Sequence, residues 1–309
     1  MPSEKYSHKY QFLEKENWLS FDEIARIVQI FVRLGVVKVR LTGGEPLLRP
    51  QISHLVARLS TMEGIEDLAL TTNGSLLSQY AFDLKKAGLK RLTVSLDSLD
   101  ENISRQINGE RASVKQILEG IAAAERAGFE SIKVNVVVER GVNDQTVIDL
   151  VRHFKPTKHV IRFIEYMDVG THNDWSRDKV VPTAELIALI ERQFSLKKLS
   201  GNYQGEVAER FGFSDGAGEI GFISSISRPF CGDCSRARLT ADGKFFTCLF
   251  AQDGFDLKSF LRNEKFLDEN LLQAVSNIWL KRQDRYSELR SEVKKDNTLE
   301  KVEMFQVGG

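Results

Sequence analysis

The three cysteines of this chain, Cys231, Cys234 and Cys248, all lie in one short segment near the C-terminal end. Their C-x2-C-x13-C spacing is typical of a zinc or iron–sulfur site, where thiolates are the ligands. None of the five histidines lies within or after this segment. Because a structural zinc site normally has four protein ligands, three thiolates alone predict an open coordination position that a substrate or water molecule can occupy.

Two other interpretations of the cysteines stay open. A zinc ribbon could be completed by Asp233, Asp242 or a distant histidine, and the three side chains could also be ordinary thiols. In a reducing cytosol, clustered cysteines are more often ligands than disulfide partners, and their odd number agrees with this. The residues therefore favour a metal or cluster site that takes part in chemistry.

Two arginines continue the register of the second cysteine. Cys234, Arg236 and Arg238 are each two residues apart, so an extended backbone would place all three side chains on one face. Guanidinium groups bind phosphate, or the acceptor edge of guanine, through paired hydrogen bonds. The alternative is a pair of solvated surface arginines, which does not account for the shared register.

Further candidates lie in and after the predicted strands of the first half. The two glycines of the TGGEP segment (residues 42–46) would let a ligand approach the backbone, and Glu45 would offer a carboxylate to an ammonium group; a tight turn without a ligand is the alternative. Lys133 lies in an otherwise apolar strand, where a charge is costly unless it faces a polar cavity. Met167 follows another strand and by default fills the core.

The composition is that of an ordinary globular protein, with 42% hydrophobic and 28% charged residues. Lys plus Arg and Asp plus Glu both number 43, so no net charge favours nucleic acid or a membrane surface as a partner. No apolar run approaches the roughly 18 residues of a membrane helix, and there is neither a signal-peptide pattern nor a P-loop motif. We expect a cytoplasmic protein that binds any anion through local groups.

Helices and β-branched strands alternate through the first half of the chain. One helix begins at a capping box formed by Ser20 and Glu23, and Gly35, Gly88 and Gly128 each suit the left-handed residue that ends a helix. The predicted strands cover residues 36–41, 67–71, 91–96, 132–138 and 160–164. This alternation predicts an α/β fold with a parallel sheet and right-handed crossovers.

Two architectures fit that alternation, a doubly wound open sheet and a complete or partial (β/α) barrel. The polar segments TGGEP, TTNG, SLDS and EYMDVG follow successive strands, whereas a doubly wound sheet binds its ligands at one switch point. We therefore favour a partial (β/α) barrel over residues 1–182. The alternation of strands and helices weakens after residue 182, and we assign residues 183–309 to a C-terminal lobe that carries the cysteines. Residues 257–303 of this lobe are predicted to be helical and charged. We expect the lobe to pack on the first one.

With these motifs in view, the chain resembles the GTP 3′,8-cyclase family of radical S-adenosylmethionine (SAM) enzymes over essentially its whole length. The resemblance rests on the segments FLEKENWLSFDEI, VRLTGGEPLLR, LTTNG, VSLDSLD, KVNVVV, IRFIEYMDVG and CGDCSRARLTADGKFFTCLF and on the terminal Gly308-Gly309. It implies a partial barrel of the radical SAM type and the conversion of GTP and SAM to (8S)-3′,8-cyclo-7,8-dihydroguanosine 5′-triphosphate, which opens molybdenum cofactor biosynthesis. The implied steps are reductive cleavage of SAM to a 5′-deoxyadenosyl radical, abstraction of the ribose C3′ hydrogen, and attack of the C3′ radical on guanine C8.

The resemblance also implies roles for individual residues and partners. Cys231, Cys234 and Cys248 would hold a 4Fe–4S cluster whose fourth iron is free to bind guanine, and the closing glycines resemble a tail that enters the site. The implied contacts are Arg40, Thr71, Lys133, Arg236 and Arg238 with GTP, and Gly44, Ser95 and Met167 with SAM, whose methionine moiety the GGEP segment would receive. An electron donor and, downstream, cyclic pyranopterin monophosphate synthase are the implied partners. A homodimer is one option for the oligomeric state, which the residues leave open.

The sequence departs from the family in one respect, because no cysteine precedes Cys231. The family's first cluster needs a C-x3-C-x2-C loop that ends Y-C-M-P, whereas this sequence begins Met1-Pro2. We expect that the natural protein is longer and that these residues lack the first strand, the loop and an upstream GTP-binding arginine, so that a second 4Fe–4S cluster binds only with that segment. By themselves they would be inactive and poorly soluble. The alternative is a noncatalytic relative that binds GTP through the C-terminal cluster.

Overall fold

The structure, a computed structural model, describes residues 13–109, 112–171, 173–203, 205–263, 265, 267–290 and 302–308. The strands are β1 (Lys38–Leu41), β2 (Asp67–Thr72), β3 (Arg91–Ser95), β4 (Lys133–Val138), β5 (Val160–Glu165), β6 (Leu196–Lys198), β7 (Glu209–Phe213), β8 (Glu219–Ile223), β9 (Arg238–Leu239), β10 (Lys244–Phe246) and β11 (Phe255–Asp256). The α-helices are α1 (Phe21–Arg33), α2 (Ile52–Ser60), α3 (Leu77–Lys86), α4 (Glu101–Asn108), α5 (Val114–Arg126), α6 (Val147–Phe154), α7 (Thr183–Glu191), α8 (Lys258–Leu261), α9 (Asp268–Leu280), α10 (Tyr286–Leu289) and α11 (Met304–Val307). Short 3₁₀ helices cover Lys15–Asn17, Pro46–Leu48, Asp144–Thr146 and Arg177–Lys179.

Eight strands form one large sheet in the order β1-β2-β3-β4-β5-β8-β7-β6. Strands β1 to β5 and β8 run parallel, while β7 pairs antiparallel with both β8 and β6. Because β1 to β5 are neighbours in space as well as in sequence, they contain no switch point of the doubly wound kind. Among the described residues β1 and β6 are the two edges, so the sheet is open and the predicted partial (β/α) barrel is confirmed.

The two faces of this sheet differ in polarity. In β4, Val134, Val136 and Val138 are fully buried against the helices, whereas Lys133 and Asn135 are half-buried on the opposite face. This alternation is the period-two pattern of a strand with one face on the core. We call the polar inner face the lumen face, and it carries Lys38, Arg40, Asp67, Thr71, Arg91, Thr93, Ser95, Lys133, Asn135 and Arg162.

The predicted elements of the first half are confirmed, since all five predicted strands begin and end within two residues of the observed ones. At the start of α1, Ser20 Oγ accepts from the Glu23 amide at 3.1 Å and Glu23 Oε2 accepts from the Ser20 amide at 2.7 Å. Gly88 ends α3 with φ +95°, and a Cβ there would lie 2.6 Å from Ser60 Oγ. None of the helices in the described ranges is both long and apolar enough to cross a membrane.

The C-terminal region is joined to the first lobe in two ways. Strands β6 to β8 follow residue 182 yet belong to the large sheet, so that sheet crosses the boundary that we predict between the lobes. A second core lies between α1, α9 and the small sheet β11-β10-β9, and its buried members are Leu19, Ile27, Ile30, Phe245, Leu257, Leu271 and Val275. The expected packing of the second lobe on the first is therefore observed. Of the predicted helical region, α8 to α10 are observed and residues 291–301 lie outside the described residues.

Candidate functional site

The lumen face is arranged in layers because its strands pair in register. The layers, from the amino to the carboxyl ends of the strands, are Lys38 with Asp67; Arg40 with Ala69 and Arg91; Thr71 with Thr93 and Lys133; and Ser95 with Asn135 and Arg162. Three of the residues expected to contact GTP, Arg40, Thr71 and Lys133, thus lie in two adjacent layers. Parallel strands place their ligands at the carboxyl ends, so these layers form the floor of a site that opens toward that edge.

Arg40 reaches from its own strand across the next two. Its Nη1 donates to Thr71 Oγ1 at 2.9 Å and to Thr93 Oγ1 at 3.0 Å. Both bonds use one nitrogen of Arg40. Among the described residues, Nε and Nη2 are therefore left to donate to a ligand. On the same strand, Lys38 Nζ lies 3.3 Å from the centre of the Tyr203 ring, a cation–π contact that holds the 199–203 segment near the lumen.

Cations in the lumen depress one another's pKa. Burial and the charges of Arg162 and Arg91 lower the pKa of Lys133 to about 8. Burial and the charges of Arg40 and Arg91 lower the pKa of Arg162 to about 10. A bound anion would offset both the repulsion and the cost of burial, so the lumen is electrostatically suited to a polyanion.

Two residues of this site were missed by the sequence reasoning, Arg162 and Asn135. Asn135 Oδ1 accepts from Arg162 Nε at 2.9 Å and from Nη2 at 2.6 Å. Arg162 interrupts an apolar strand in the same way as Lys133, so the signal that identified Lys133 would also have found it. Asn135 carries no comparable signal, because an uncharged amide in a strand has little cost that a pattern can reveal.

The loop after β1 is held from within the protein. Glu45 Oε1 accepts from the Leu47 amide at 3.0 Å and from Thr72 Oγ1 at 2.8 Å, and Oε2 accepts from the Asn73 amide at 2.7 Å. The carboxylate thus ties the loop after β1 to the loop after β2, rather than being simply presented to an ammonium group as we expected. Gly44 is exposed, and a Cβ there would meet nothing within 4 Å. The backbone at Gly44 is therefore open to a ligand.

Ser95 and Met167, expected to contact SAM, lie at the same end of the sheet as Gly44. Ser95 is the last residue of β3, and Met167 comes two residues after β5, where it packs half-buried against a small apolar cluster. Asp97 lies beyond Ser95 and accepts from the Val137 amide at 2.8 Å. Burial raises the pKa of Asp97 to about 6, although that hydrogen bond opposes the shift.

The three cysteines are half-buried thiols outside any disulfide. Arg236 donates from Nε and Nη2 to Cys234 Sγ at 3.4 and 3.3 Å, and the Phe250 amide donates to Cys248 Sγ at 3.4 Å. Burial disfavours the Cys234 thiolate, but the Arg236 charge together with hydrogen bonds from Arg236 and Arg282 outweighs burial and lowers the pKa of that thiol. No group of three ligating side chains converges on one point among the described residues. The N–H donors aimed at sulfur nevertheless fit an iron–sulfur cluster, whose potential such bonds tune.

Arg238 lies deeper than Arg236 and is half-buried. Burial and the charge of Arg236 lower the pKa of Arg238 to about 10, opposed by the thiolates of Cys248 and Cys234. The predicted proximity of both arginines to the cysteines is thus observed. Asp242, one of the zinc ligands considered above, instead accepts from the Thr240 hydroxyl in the turn between β9 and β10.

The C-terminal segment ends beside these groups. Gly308 O accepts from Arg238 Nε at 3.3 Å, and a Cβ on Gly308 would lie 2.3 Å from Thr42 Cγ2. The segment therefore lies between the loop after β1 and an arginine of the C-terminal lobe. Gly309 lies outside the described residues.

A buried carboxylate anchors that segment. Glu303 is fully buried, and its Oε1 accepts from the Thr171 amide at 2.7 Å. A Cβ on Gly170, which has φ +83°, would lie 2.1 Å from Glu303 Oε2. A side chain at position 170 would have to displace the Glu303 carboxylate, and the positive φ also favours glycine there.

A second contact joins the lobes next to Met167. The buried carboxylate of Asp168 accepts from the Tyr286 hydroxyl at 2.8 Å and from Arg290 Nε at 3.0 Å. The Tyr286 ring stacks on Phe250 with a centroid distance of 4.6 Å. Because Phe250 also binds Cys248, this chain of contacts connects the end of β5 with the cysteine region.

Two family models match the chain and together cover most of it. One is described as Radical SAM superfamily and matches residues 5–154, and the other as Molybdenum Cofactor Synthesis C and matches residues 159–288. The junction between them falls close to the start of β5. The first model covers strands β1 to β4, and the second covers β5 to β11 with all three cysteines.

Similar proteins match this chain along its whole length. The chain is 52% identical over 310 residues to a GTP 3′,8-cyclase of Xanthomonas axonopodis pv. citri (strain 306), covering 100% of this chain and 91% of that protein. It is 43% identical over 311 residues to a GTP 3′,8-cyclase of Staphylococcus epidermidis, strain RP62A among its designations, with the same coverage. The solved structure of native anSMEcpe with bound AdoMet and Kp18Cys peptide aligns at a TM-score of 0.51 and 13% identity over 96% of this chain and 86% of that one, which shows a shared fold alone.

Proposed function

This chain belongs to the GTP 3′,8-cyclase family of radical SAM proteins, and from that premise we propose that, once a second set of cluster ligands is supplied, it converts GTP and SAM to (8S)-3′,8-cyclo-7,8-dihydroguanosine 5′-triphosphate in molybdenum cofactor biosynthesis. The observation that carries the proposal is the set of mutually repelling cations inside the lumen. A triphosphate is the part of this substrate that such a set would bind. The contacts proposed for the remaining groups of the substrates follow what the family resemblance implies.

The triphosphate would lie against Arg40, Lys133 and Arg162, with Thr71 orienting Arg40. Arginine forks match phosphate oxygens, and a half-buried lysine adds a compact charge. The lumen lowers the pKa of Lys133 from the ordinary lysine value of 10.5 to about 8. At about 1.4 kcal/mol per pKa unit, an anion that restored the ordinary value would recover about 3 kcal/mol before solvent screening.

The guanine would face the C-terminal lobe. Cys231, Cys234 and Cys248 would hold a 4Fe–4S cluster there, and when bound it would supply an iron with an open position for the base. Arg236 and Arg238 would bind acceptor atoms of the nucleotide beside it. Since Arg236 also binds Cys234 Sγ, it would link nucleotide binding to the electronic state of the sulfur.

SAM would lie across the carboxyl ends of the strands. The backbone at Gly44 would receive the methionine moiety, and Ser95 and Met167 would contact the nucleoside part. Ser95 shares its layer with Asn135 and Arg162, so this edge of the lumen face adjoins the cations proposed for the triphosphate. The two ligands would then meet at this layer.

Several further assignments belong to the same proposal. Residues 1–182 would act as the SAM-binding lobe and residues 183–309 as the cluster lobe that completes the GTP site. An electron donor would serve the reaction, the product would pass to cyclic pyranopterin monophosphate synthase, and a homodimer is the assembly to be tested first. A cytosolic location follows from the need for GTP and a reducing environment.

Turnover requires more than these groups. Reductive cleavage of SAM needs a cluster of its own, and all three cysteines of the sequence are already assigned to the C-terminal lobe. We therefore propose that these 309 residues bind GTP but do not turn it over unless a second set of cluster ligands is supplied. A noncatalytic GTP-binding relative is the second candidate, and the same cysteine count favours it.

The proposal is tested on oxygen-free, reconstituted protein by iron and sulfide analysis together with a GTP titration. Iron and sulfide in the 4Fe–4S ratio, with saturable GTP binding, are the expected results. Zinc without sulfide would instead identify a zinc ribbon, and a cluster without GTP affinity would remove the substrate assignment. Turnover by the 309 residues alone would overturn the proposed need for further ligands.

A further inference from the structure

Asn135 occupies a central position in the cationic lumen, where its amide oxygen is bonded to a charged neighbour. Its Oδ1 accepts both Nε and Nη2 of Arg162, at 2.9 and 2.6 Å. The two residues are directly opposite each other in the pairing of β4 and β5. Since two donors of the guanidinium are held by one acceptor, the plane of the Arg162 fork is fixed, and its remaining N–H groups are aimed by Asn135.

The other side of Arg162 is shaped to receive its stem. Gly221 of β8 pairs with Arg162 in register, and a Cβ built on Gly221 would lie 3.1 Å from Arg162 Cγ. Ala208 lies next to the same space, with its Cβ 3.6 Å from that position. Two small residues thus leave room for the arginine on one side, while Asn135 directs its end group from the other.

The type of residue at position 135 decides the charge of the site. A carboxylate of the same size would accept the same two hydrogen bonds, because aspartate and arginine form bidentate pairs. It would also cancel the Arg162 charge in a lumen where Arg40 and Lys133 already repel it. A neutral amide is the acceptor that orients the guanidinium and leaves its full charge for a ligand.

We infer that Asn135 is a positioning residue for the triphosphate of GTP, acting through Arg162 rather than by its own charge. The inference rests on the proposed GTP site and adds a specificity element to it. Because the neutral acceptor preserves one positive charge, its effect should be confined to the phosphates. Guanosine, which lacks them, should bind without regard to the residue at position 135.

The test compares Asn135→Asp with the unaltered protein, both reconstituted without oxygen, by titration with GTP, guanosine and inorganic tripolyphosphate. We expect the dissociation constants of GTP and tripolyphosphate to rise at least about tenfold, since a charge-assisted contact is lost. The guanosine constant should stay within about twofold. Asn102→Asp is the matched control, because it adds the same charge on the exposed first turn of α4.

Each other outcome has a distinct meaning. Unchanged GTP affinity in Asn135→Asp would overturn the inference, and so would an equal loss of GTP and guanosine, which indicates a structural or nucleobase role. If unaltered protein does not bind GTP, the proposed function fails first. Should Asn135→Asp not fold, Asn135→Ser and Arg162→Gln form a double-mutant cycle, in which additive effects on tripolyphosphate binding would contradict action through Arg162.

Discussion

Lys133 illustrates how the cost of a residue can reveal its purpose. A charge in the middle of an apolar strand is unfavourable unless the structure gives it a polar surrounding or a partner. Here the lysine faces the lumen. Its pKa of about 8 shows that other groups of the protein do not fully offset the unfavourable free energy of burying its charge beside other cations. The protonation state of this side chain should therefore control anion binding near neutral pH.

The first prediction concerns this titration. Below about pH 8 the Lys133 ammonium is charged and can bind phosphate, and above that value it loses the proton, so GTP affinity should fall as pH rises from about 7 to 9.5. Lys133→Met should bind GTP about tenfold or more weakly at pH 7 and should lose most of that pH dependence. The measurement is the GTP dissociation constant across the pH range.

Lys115→Met serves as its control, since Lys115 is exposed on α5 and forms a 3.9 Å pair with Glu119. It should show the pH profile of the unaltered protein. If GTP affinity is independent of pH over this range in the unaltered protein, Lys133 does not contact the triphosphate.

The second prediction concerns Arg238. Its half-buried guanidinium lies close to the thiolates and to Gly308 O, so Arg238→Ala should weaken GTP binding by about tenfold or more while iron and sulfide content stay unchanged. Arg228→Ala is the comparison, because Arg228 is exposed and paired with Glu209 at 2.9 Å. Loss of iron together with GTP affinity would assign Arg238 to the cluster instead of the nucleotide.

Lys133 could be predicted from the residues alone, because a charge in an apolar strand requires a reason. Arg40 was identified only through the family resemblance. Asn135 could not be predicted, because its role depends on the register of β4 and β5, which brings it opposite Arg162. The contacts of Glu45 were also inaccessible, since they depend on how two strand-end loops meet.

At the level of elements, the docking of α11 depends on close approaches that only glycine allows. Gly170 and Gly308 both have positive φ, and each has a neighbour where its Cβ would be. The segment therefore docks in one arrangement, with Glu303 against the loop after β5. A side chain at either glycine should displace it.

The third prediction uses Gly170→Ala, whose Cβ would meet the Glu303 carboxylate. We expect the segment around α11 to undock, so that limited proteolysis within residues 302–308 becomes at least about tenfold faster, because cleavage follows the population of the open form. Gly141→Ala is the matched control, because Gly141 has φ +76° but no atom within 4 Å of its Cβ position. Equal acceleration in both variants would attribute the effect to backbone strain rather than to the lost contact.

Local signals predicted the elements of the first half, and long-range pairing could not be predicted in the same way. The capping box at Ser20 and the glycine at position 88 act within one turn of chain, so their residues determine them directly. The union of β5 with β8 joins segments that are far apart in sequence, and short strands such as β6 carry weak patterns. The sheet's passage across residue 182 became visible only in the structure.

Across the whole molecule, equal numbers of acidic and basic residues coexist with a strongly cationic lumen. The neutral total provides no long-range attraction, so in the proposed site the anion is selected where the strands converge. The proposed site also requires the two lobes to be held at a fixed separation, since the groups proposed for GTP come from both. The contacts between Asp168, Tyr286 and Phe250 form part of that connection.

The fourth prediction is that Tyr286→Phe loosens this connection. Removing the hydroxyl leaves a buried carboxylate with one hydrogen bond fewer, which should lower the free energy of unfolding by about 1–2 kcal/mol. Chemical denaturation measures this, and Tyr80→Phe provides the comparison at a half-buried tyrosine of α3. A Tyr286→Phe protein as stable as the unaltered one would show that the Tyr286 hydroxyl does not contribute to this connection.

The second core, between α1 and α9, has a consequence for the expression of this protein as two separate pieces. A cut between codons 182 and 183 would part Ile27 and Ile30 from Leu271 and Val275 and would separate β5 from β8. Each product would expose apolar surface that is buried in the intact chain. We therefore expect each piece to aggregate when it is produced alone. When both pieces are produced in the same cell, they should associate through these apolar surfaces and copurify.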